Sequence, residues 1–220
     1  MTEEGFMWTL YKKLKSNSFA MLGFFILFAF VLLAIIGPSI SPKNPETMDL
    51  GNRLASPVWM KGGSWQYPLG TDMLGRDILS RIICGTRNTI ITALSSSFIA
   101  LSIGVLLGMF SGYLGGLWDV VVMRLVDIML AIPAVMLAVV LVAIIGPYPI
   151  SIIIAMGLTM WSEYAKVIRG RILVLREEPF VLAARTMGAS GTGIIWKHIL
   201  PNIVYIIIVI FTHIKRQHFI

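Results

Sequence analysis

The residues in this chain that could do chemistry stand in the wrong company for it. GTDMLG, Gly70 to Gly75, has the glycine spacing of a phosphate-binding loop. It is followed by Arg76 and Asp77, where a Lys and a Ser or Thr would have to meet the phosphates and magnesium. GASGTG, Gly188 to Gly193, lacks both that Lys and a preceding strand, so it reads as a loop. A single cysteine, Cys84, cannot form an internal disulfide, and it has no zinc-site spacing to His198, His213 and His218. The 13 methionines would suit a soft metal if clustered, but they are scattered through apolar stretches and read as core. No nucleophile, base and orienting group fall together. The sequence therefore predicts no catalytic residue, no metal and no cofactor on this chain.

Two charges lie inside an apolar stretch. Arg124 and Asp127 are three residues apart and are expected to pair on one helix face. Charge within a membrane segment can mark an ion or proton path. With Asp119, however, both lie in the first third of the stretch, where long side chains reach the interface, and anchoring is the weightier reading.

Across the whole chain 57% of residues are hydrophobic and 13% charged, against about 45–50% and 25% in soluble domains. A water-soluble fold is excluded, and the chain reads as an all-α polytopic membrane protein. The net charge of +7 follows from basic residues at the ends of apolar segments, which makes them orientation signals and not a nucleic-acid surface. Residues 1–18 form a tail whose Lys12, Lys13 and Lys15 place Met1 in the cytoplasm. A first span covers 19–40. Residues 41–87 are too rich in turn formers to cross and form an external loop, ending in a short amphipathic surface helix with Asp77 and Arg81 paired at i, i+4. Arg76, Arg81 and Arg87 crowd the outer end of the second span, against the inside bias of positive charge, although Asp72 and Asp77 accompany them.

The remaining spans fall within a core of 88–212. The second runs from Asn88 to Leu114, and Gly104, Gly108, Gly112 and Gly116 continue a row of small residues every fourth position, which lets helices approach closely in lipid. Ordinary bundle packing is the favoured reading of that row over a dedicated transport face. The third runs from Val120 to Ile145 with Pro133 inside, and the fourth from Ile150 to Ser162. The fifth, Ile199 to Thr212, has about 14 apolar residues, short of the roughly 20 a crossing needs. An atypical tail of 213–220 follows it. The short fifth span and its basic tail give the expectation of a truncated or fragmentary chain.

Between the fourth and fifth spans, 163–201 is basic and is expected in the cytoplasm. Within it EEPFVLAARTMGASG reads as a short helix. Glu177 and Glu178 lie at the positive pole, Pro179 at the first position and Gly188 at the end. Phe180, Ala183, Ala184 and Met187 share one apolar face, fit for a partner's groove or for the lipid surface.

The segment LAARTMGASGTGIIWKHILPN resembles the EAA signature of membrane subunits of bacterial binding-protein-dependent ABC importers. Ala183, Ala184, Gly188, Leu200 and Pro201 match it, while Leu182 stands at a usually acidic position and His198 at a usually Ile-type one. PLGTDMLGRDILSRIICGTR, with Gly70, Thr71, Asp72, Gly75, Arg76, Asp77, Ser80 and Arg81, is similar to the C-type permease subunit of the dipeptide, oligopeptide and nickel subgroup. The resemblance implies a MetI-like transmembrane bundle of the type I importers in the bacterial inner membrane. It makes Glu178 to Gly188 the helix that couples to ATPases. It also implies a second homologous permease subunit, two cytoplasmic ATP-binding subunits that carry the ATP and magnesium, an extracytoplasmic substrate-binding protein, and surrounding membrane lipid. Peptides are the expected cargo, with nickel or another solute, or a non-transporting scaffold, as alternatives.

Overall fold

The computed structural model describes residues 17–213, with side chains up to Ile208. Lys12, Lys13 and Lys15, and most of the 213–220 tail, lie outside them. Helices follow one another as α1 (Ser18–Ile40), a 3-10 turn (Leu50–Asn52), α2 (Ile78–Leu114), α3 (Gly116–Ala131), α4 (Ala134–Ile145), α5 (Pro149–Leu175), α6 (Pro179–Thr186), α7 (Gly191–Ile194), a π turn (Ile195–Ile199) and α8 (Leu200–His213). The chain divides into two compact units at Ile91/Thr92, a boundary that falls within α2.

In the first unit, α1 is capped by Asn17, whose side chain accepts the N–H groups of Phe19 (3.1 Å) and Ala20 (3.3 Å). These are donors the first turn would otherwise leave unpaired. Its 23 residues cover about 35 Å at 1.5 Å each, enough for the roughly 30 Å hydrocarbon layer. Its Leu, Ile and Phe side chains are almost all exposed, which suits a helix whose solvent is lipid. The expected surface helix and second span turn out to be a single helix. α2 runs 37 residues from Ile78 without a break, about 55 Å. No proline interrupts it, and Gly85 has open space around it and imposes no turn.

The second unit corrects three further expectations. The third span is broken in two, because α3 and α4 meet at 95°. Pro133 has no N–H to continue the ladder and forces Ile132 into an extended conformation (φ −95°, ψ 129°). The fourth element does not stop near Ser162. α5 continues to Leu175, about 40 Å in all, carrying Lys166, Arg169 and Arg171 on its second half. It is not among the helices apolar enough along 18 residues to qualify as a crossing.

The fifth segment is longer than expected, because the helical path begins at Gly191 and not beside Pro201. A proline normally clashes with the carbonyl four residues back. Here the π turn absorbs it, the Leu200 N–H reaching back five residues to the Ile195 carbonyl. Gly191–Ile208 is then long and apolar enough to cross, as are α1 and α2, and the bent α3–α4 pair makes a fourth if counted as one. The core of this unit is built by Met109, Tyr164, Ile168, Ile172, Ile195 and Ile199 and their neighbours, all buried.

Candidate functional site

The short helix α6 begins with Pro179 in its first turn and Glu178 at the N-cap, in extended conformation. It closes as its glycine suggests. Gly188 takes φ +83°, its N–H donates to the Arg185 carbonyl (3.0 Å), and the Ala189 N–H donates to that of Ala184 (3.1 Å). Ser190 then caps the next helix by accepting the Gly193 N–H at 3.2 Å. GASGTG is thus a joint between two helices.

The apolar face of α6 is divided differently from the four-residue stripe expected. Val181 (0% exposed) and Ala184 (3%) point into the bundle and join the cluster of Leu175, Ile194 and Ile195. Phe180, Ala183 and Met187 remain exposed, Met187 at 81%. Ala184 therefore belongs to the docking side of the helix, because i and i+3 positions share a face and Val181 sets which one. Leu200 packs on the same cluster and Pro201 is exposed.

Beneath α6 the small-residue row of α2 lies against α5. A Cβ added at Gly104 would meet the Tyr164 Cβ at 2.5 Å and the Trp161 carbonyl oxygen at 2.7 Å. At Gly108 it would meet the Ala165 carbonyl oxygen at 2.6 Å, and at Gly112 the Ile172 Cβ at 2.8 Å. Gly116 does not belong to the row. It has nothing within 4 Å and φ +59°, and it serves the turn into α3. Arg176 Nη1 donates to the Gly112 carbonyl (3.2 Å), satisfying one of the last carbonyls of α2.

The expected pair of Arg124 and Asp127 does not form. Asp127 faces Lys166 of α5 at 3.8 Å, with both side chains more than half exposed. The charges that close on each other are Asp119 and Arg169, in a bidentate pair of 2.5 and 2.7 Å, with the Ser111 hydroxyl donating to the same carboxylate. Sequence reasoning missed this pair because its members are 50 residues apart. The one available signal was an Asp in the first turn of a helix. With Asp119 18% and Arg169 30% exposed, Asp119→Ala should cost about 1–3 kcal/mol, below the fully buried range. Thermal unfolding in detergent checks this. Adding Arg169→Met should recover part of the loss by removing the stranded cation.

The loop motif of the first unit is a hydrogen-bonded knot. Thr71 receives the Ala55 N–H on its hydroxyl (2.8 Å), donates that hydroxyl to the Asn52 carbonyl, and forms an antiparallel bridge with Asp77. Gly70 (φ +79°) and Gly75 (φ +74°) permit the turn, and a Cβ at Gly75 would fall 1.8 Å from the Asp49 carbonyl oxygen. Their spacing serves loop closure. Asp77 does not pair with Arg81. It is buried and caps α2, accepting the Ser80 N–H (2.9 Å) and hydroxyl (2.5 Å), while Ser80 in turn receives the Lys43 N–H (3.0 Å). Arg81 reaches Asp72 instead, beside Arg76 at 2.8 Å. Asp77 at the N-cap is held by the Ser80 N–H and hydroxyl, and Arg81 takes another carboxylate.

Partial burial would raise the Asp72 carboxyl, but the N–H groups of Arg76 and Leu74 and the Arg76 guanidinium outweigh it and hold it down at about 2. Asp49 is likewise lowered, by the Asn52 side chain and then the Tyr67 hydroxyl. A carboxyl whose folded pKa lies below its unfolded value stabilises the loop above about pH 4 and loses that contribution as pH falls toward 2. The amide resonances of Leu74 and Arg76 should therefore titrate together with a midpoint near pH 2. A midpoint near 4 would mean the carboxylate is not held as described.

The model of the family described as "Binding-protein-dependent transport system inner membrane component" matches residues 104–213, half of the chain. The chain belongs to this family. A second model, the N-terminal transmembrane domain of oligopeptide transport permease C, matches residues 6–57. The chain is 36% identical over 192 residues to a dipeptide transport system permease protein of Alkalihalophilus pseudofirmus, covering 87% of this chain and 61% of that protein. It is 36% identical over 200 residues to an oligopeptide transport system permease protein of Bacillus subtilis, covering 91% and 64%. To a glutathione transport system permease protein of Escherichia coli it is 34% identical over 202 residues, covering 92% and 65%. The chain spans less than two thirds of the length of these relatives. The resemblance to C-type peptide permeases and the all-helical, MetI-like membrane architecture are borne out.

Among the described residues no group of three or more His, Cys, Asp and Glu side chains comes together to hold a metal ion. Cys84 is half-buried and free.

Proposed function

We propose that the protein is a permease subunit of an ATP-binding-cassette importer that forms half of a path for dipeptides or oligopeptides. Its partners on this reading are a homologous permease subunit, two cytoplasmic ATP-binding subunits and an extracytoplasmic binding protein. On this reading ATP binding belongs to the partner subunits, and α6 transmits the movement of the ATPases. The N-terminus and α6 face the cytoplasm, and the loop around Thr71 faces outward.

The observation that carries this reading is the two-sided character of α6. Val181 and Ala184 fix it to the bundle, while Phe180, Ala183 and Met187 stand free in a row. A helix anchored on one face and apolar on the other can pass a push in either direction without changing shape. The relatives named for dipeptide, oligopeptide and glutathione transport favour short peptides as cargo.

The test is uptake of a labelled dipeptide into proteoliposomes holding this chain with its partner permease, ATPases and binding protein. ATP-dependent accumulation supports the reading. An assembled complex that hydrolyses ATP and accumulates no peptide would leave a scaffold or a different cargo.

A further inference from the structure

The three arginines at the start of α2 have unequal fates. Arg76 and Arg81 both pair with the Asp72 carboxylate. Among the described residues Arg87, a turn and a half beyond Arg81, has no carboxylate partner, and it lines a cavity of about 750 Å³ at the end of α1. Lys43 borders the same cavity, but its ammonium lies 3.3 Å from the centre of the Tyr67 ring, on the side of a neighbouring pocket that Asp49 and Asp77 also line. Among the described residues no acidic side chain lines this space at the end of α1. Its neutral polar lining comes from Ser41, Asn44 and Asn88, and Pro38 and Ile91 are apolar. Neither cation donates a hydrogen bond to the last carbonyls of α1, so the helix end does not account for them.

The position of the cavity selects the ligand. Pro38 lies in the last turn of a helix long and apolar enough to cross the bilayer, and Ser41 is its C-cap. The opening is therefore at the membrane–water boundary, where phosphodiesters are the abundant anions. A guanidinium with no carboxylate on it and amide donors in the same lining match a phosphodiester, and an apolar edge matches the start of its acyl chains. The volume is several times what a free phosphate ion needs.

We propose that this cavity binds the headgroup phosphate of an anionic membrane phospholipid, with Arg87 as its charge partner and Asn88 as a donor. The site does not depend on the transport reading. Only the leaflet from which the lipid comes follows from the proposed orientation.

Native mass spectrometry of the full chain, titrated in detergent with dioleoyl phosphatidylglycerol, tests this. A first lipid should bind the unaltered protein about tenfold more tightly than it binds Arg87→Gln, and Arg87→Lys should restore most of the affinity. Arg53→Gln removes an equal charge from the loop outside the cavity and should change affinity by less than about twofold. Dioleoyl phosphatidylcholine, with the same phosphate but no net charge, should bind at least about fivefold more weakly. Equal losses in Arg87→Gln and Arg53→Gln would reduce the effect to general surface charge and overturn the site. So would complete displacement of the lipid by millimolar inorganic phosphate, which would assign the cavity to a free anion.

Discussion

Ala183→Arg should abolish co-purification of the ATP-binding subunits while leaving the melting temperature of the isolated protein within about 2 °C of its unaltered value. Ala183 is exposed on α6 between Phe180 and Met187, and a guanidinium there costs the free subunit nothing it was using. In the assembled importer the same charge would be buried unpaired against a partner's groove, at a cost of about 2–4 kcal/mol. That is a loss of roughly 30- to 1,000-fold in affinity. Ala184→Arg should behave in the opposite order. Its side chain is inside the cluster with Val181 and Ile195, so the subunit itself is destabilised by several kcal/mol, about 2–5, before any partner is met. Size-exclusion recovery and thermal unfolding, read beside the pull-down, separate the two. Persistence of the complex with Ala183→Arg would remove α6 from the coupling interface.

That contrast between adjacent alanines marks where the sequence stops being legible. The ends of α6 could be read from Pro179 and Gly188, because each acts through its own backbone dihedrals. The side facing the bundle could not, because the apolar stripe includes more positions than one partner can cover, and burial of Val181 decides which of them remain outside. The same limit operates along the chain. Pro133 lies inside what reads as one third span, and the 95° bend there depends on what α4 packs against. The fifth span, read by its apolar content from Ile199, in fact continues a helical path from Gly191 across Pro201. The i→i−5 bond at Leu200 is a local adjustment that no propensity encodes. Among charges, nearness in sequence was the misleading cue. Asp77 with Arg81 and Arg124 with Asp127 have helical spacing, yet Asp77 caps a helix and Asp127 faces Lys166. The tight pair of Asp119 and Arg169 is made by tertiary contact alone.

The second large effect is expected where α2 and α5 touch. Gly104→Ala with Gly108→Ala should lower stability by about 2–5 kcal/mol, and Gly108→Leu alone should prevent recovery of a monodisperse protein. The groups that a new Cβ would strike are the Trp161 and Ala165 carbonyl oxygens and the Tyr164 Cβ, all within 2.7 Å. None of these can swing aside as the end of a flexible side chain would. The helices must separate, which loosens the packing of Met109, Tyr164 and Ile168 together. Glycine also weakens a helix by about 0.5–1 kcal/mol relative to alanine, so the substitution gains that much locally and must lose more than it gains. Gly170→Ala supplies the comparison. That glycine lies in α5 with nothing within 4 Å, and alanine there should raise stability by up to about 1 kcal/mol. If both sites responded alike to alanine, the close approach of the two helices would not be what holds the core. In lipid, where apolar side chains gain little by leaving their solvent, that approach is the main source of helix–helix attraction left to this chain.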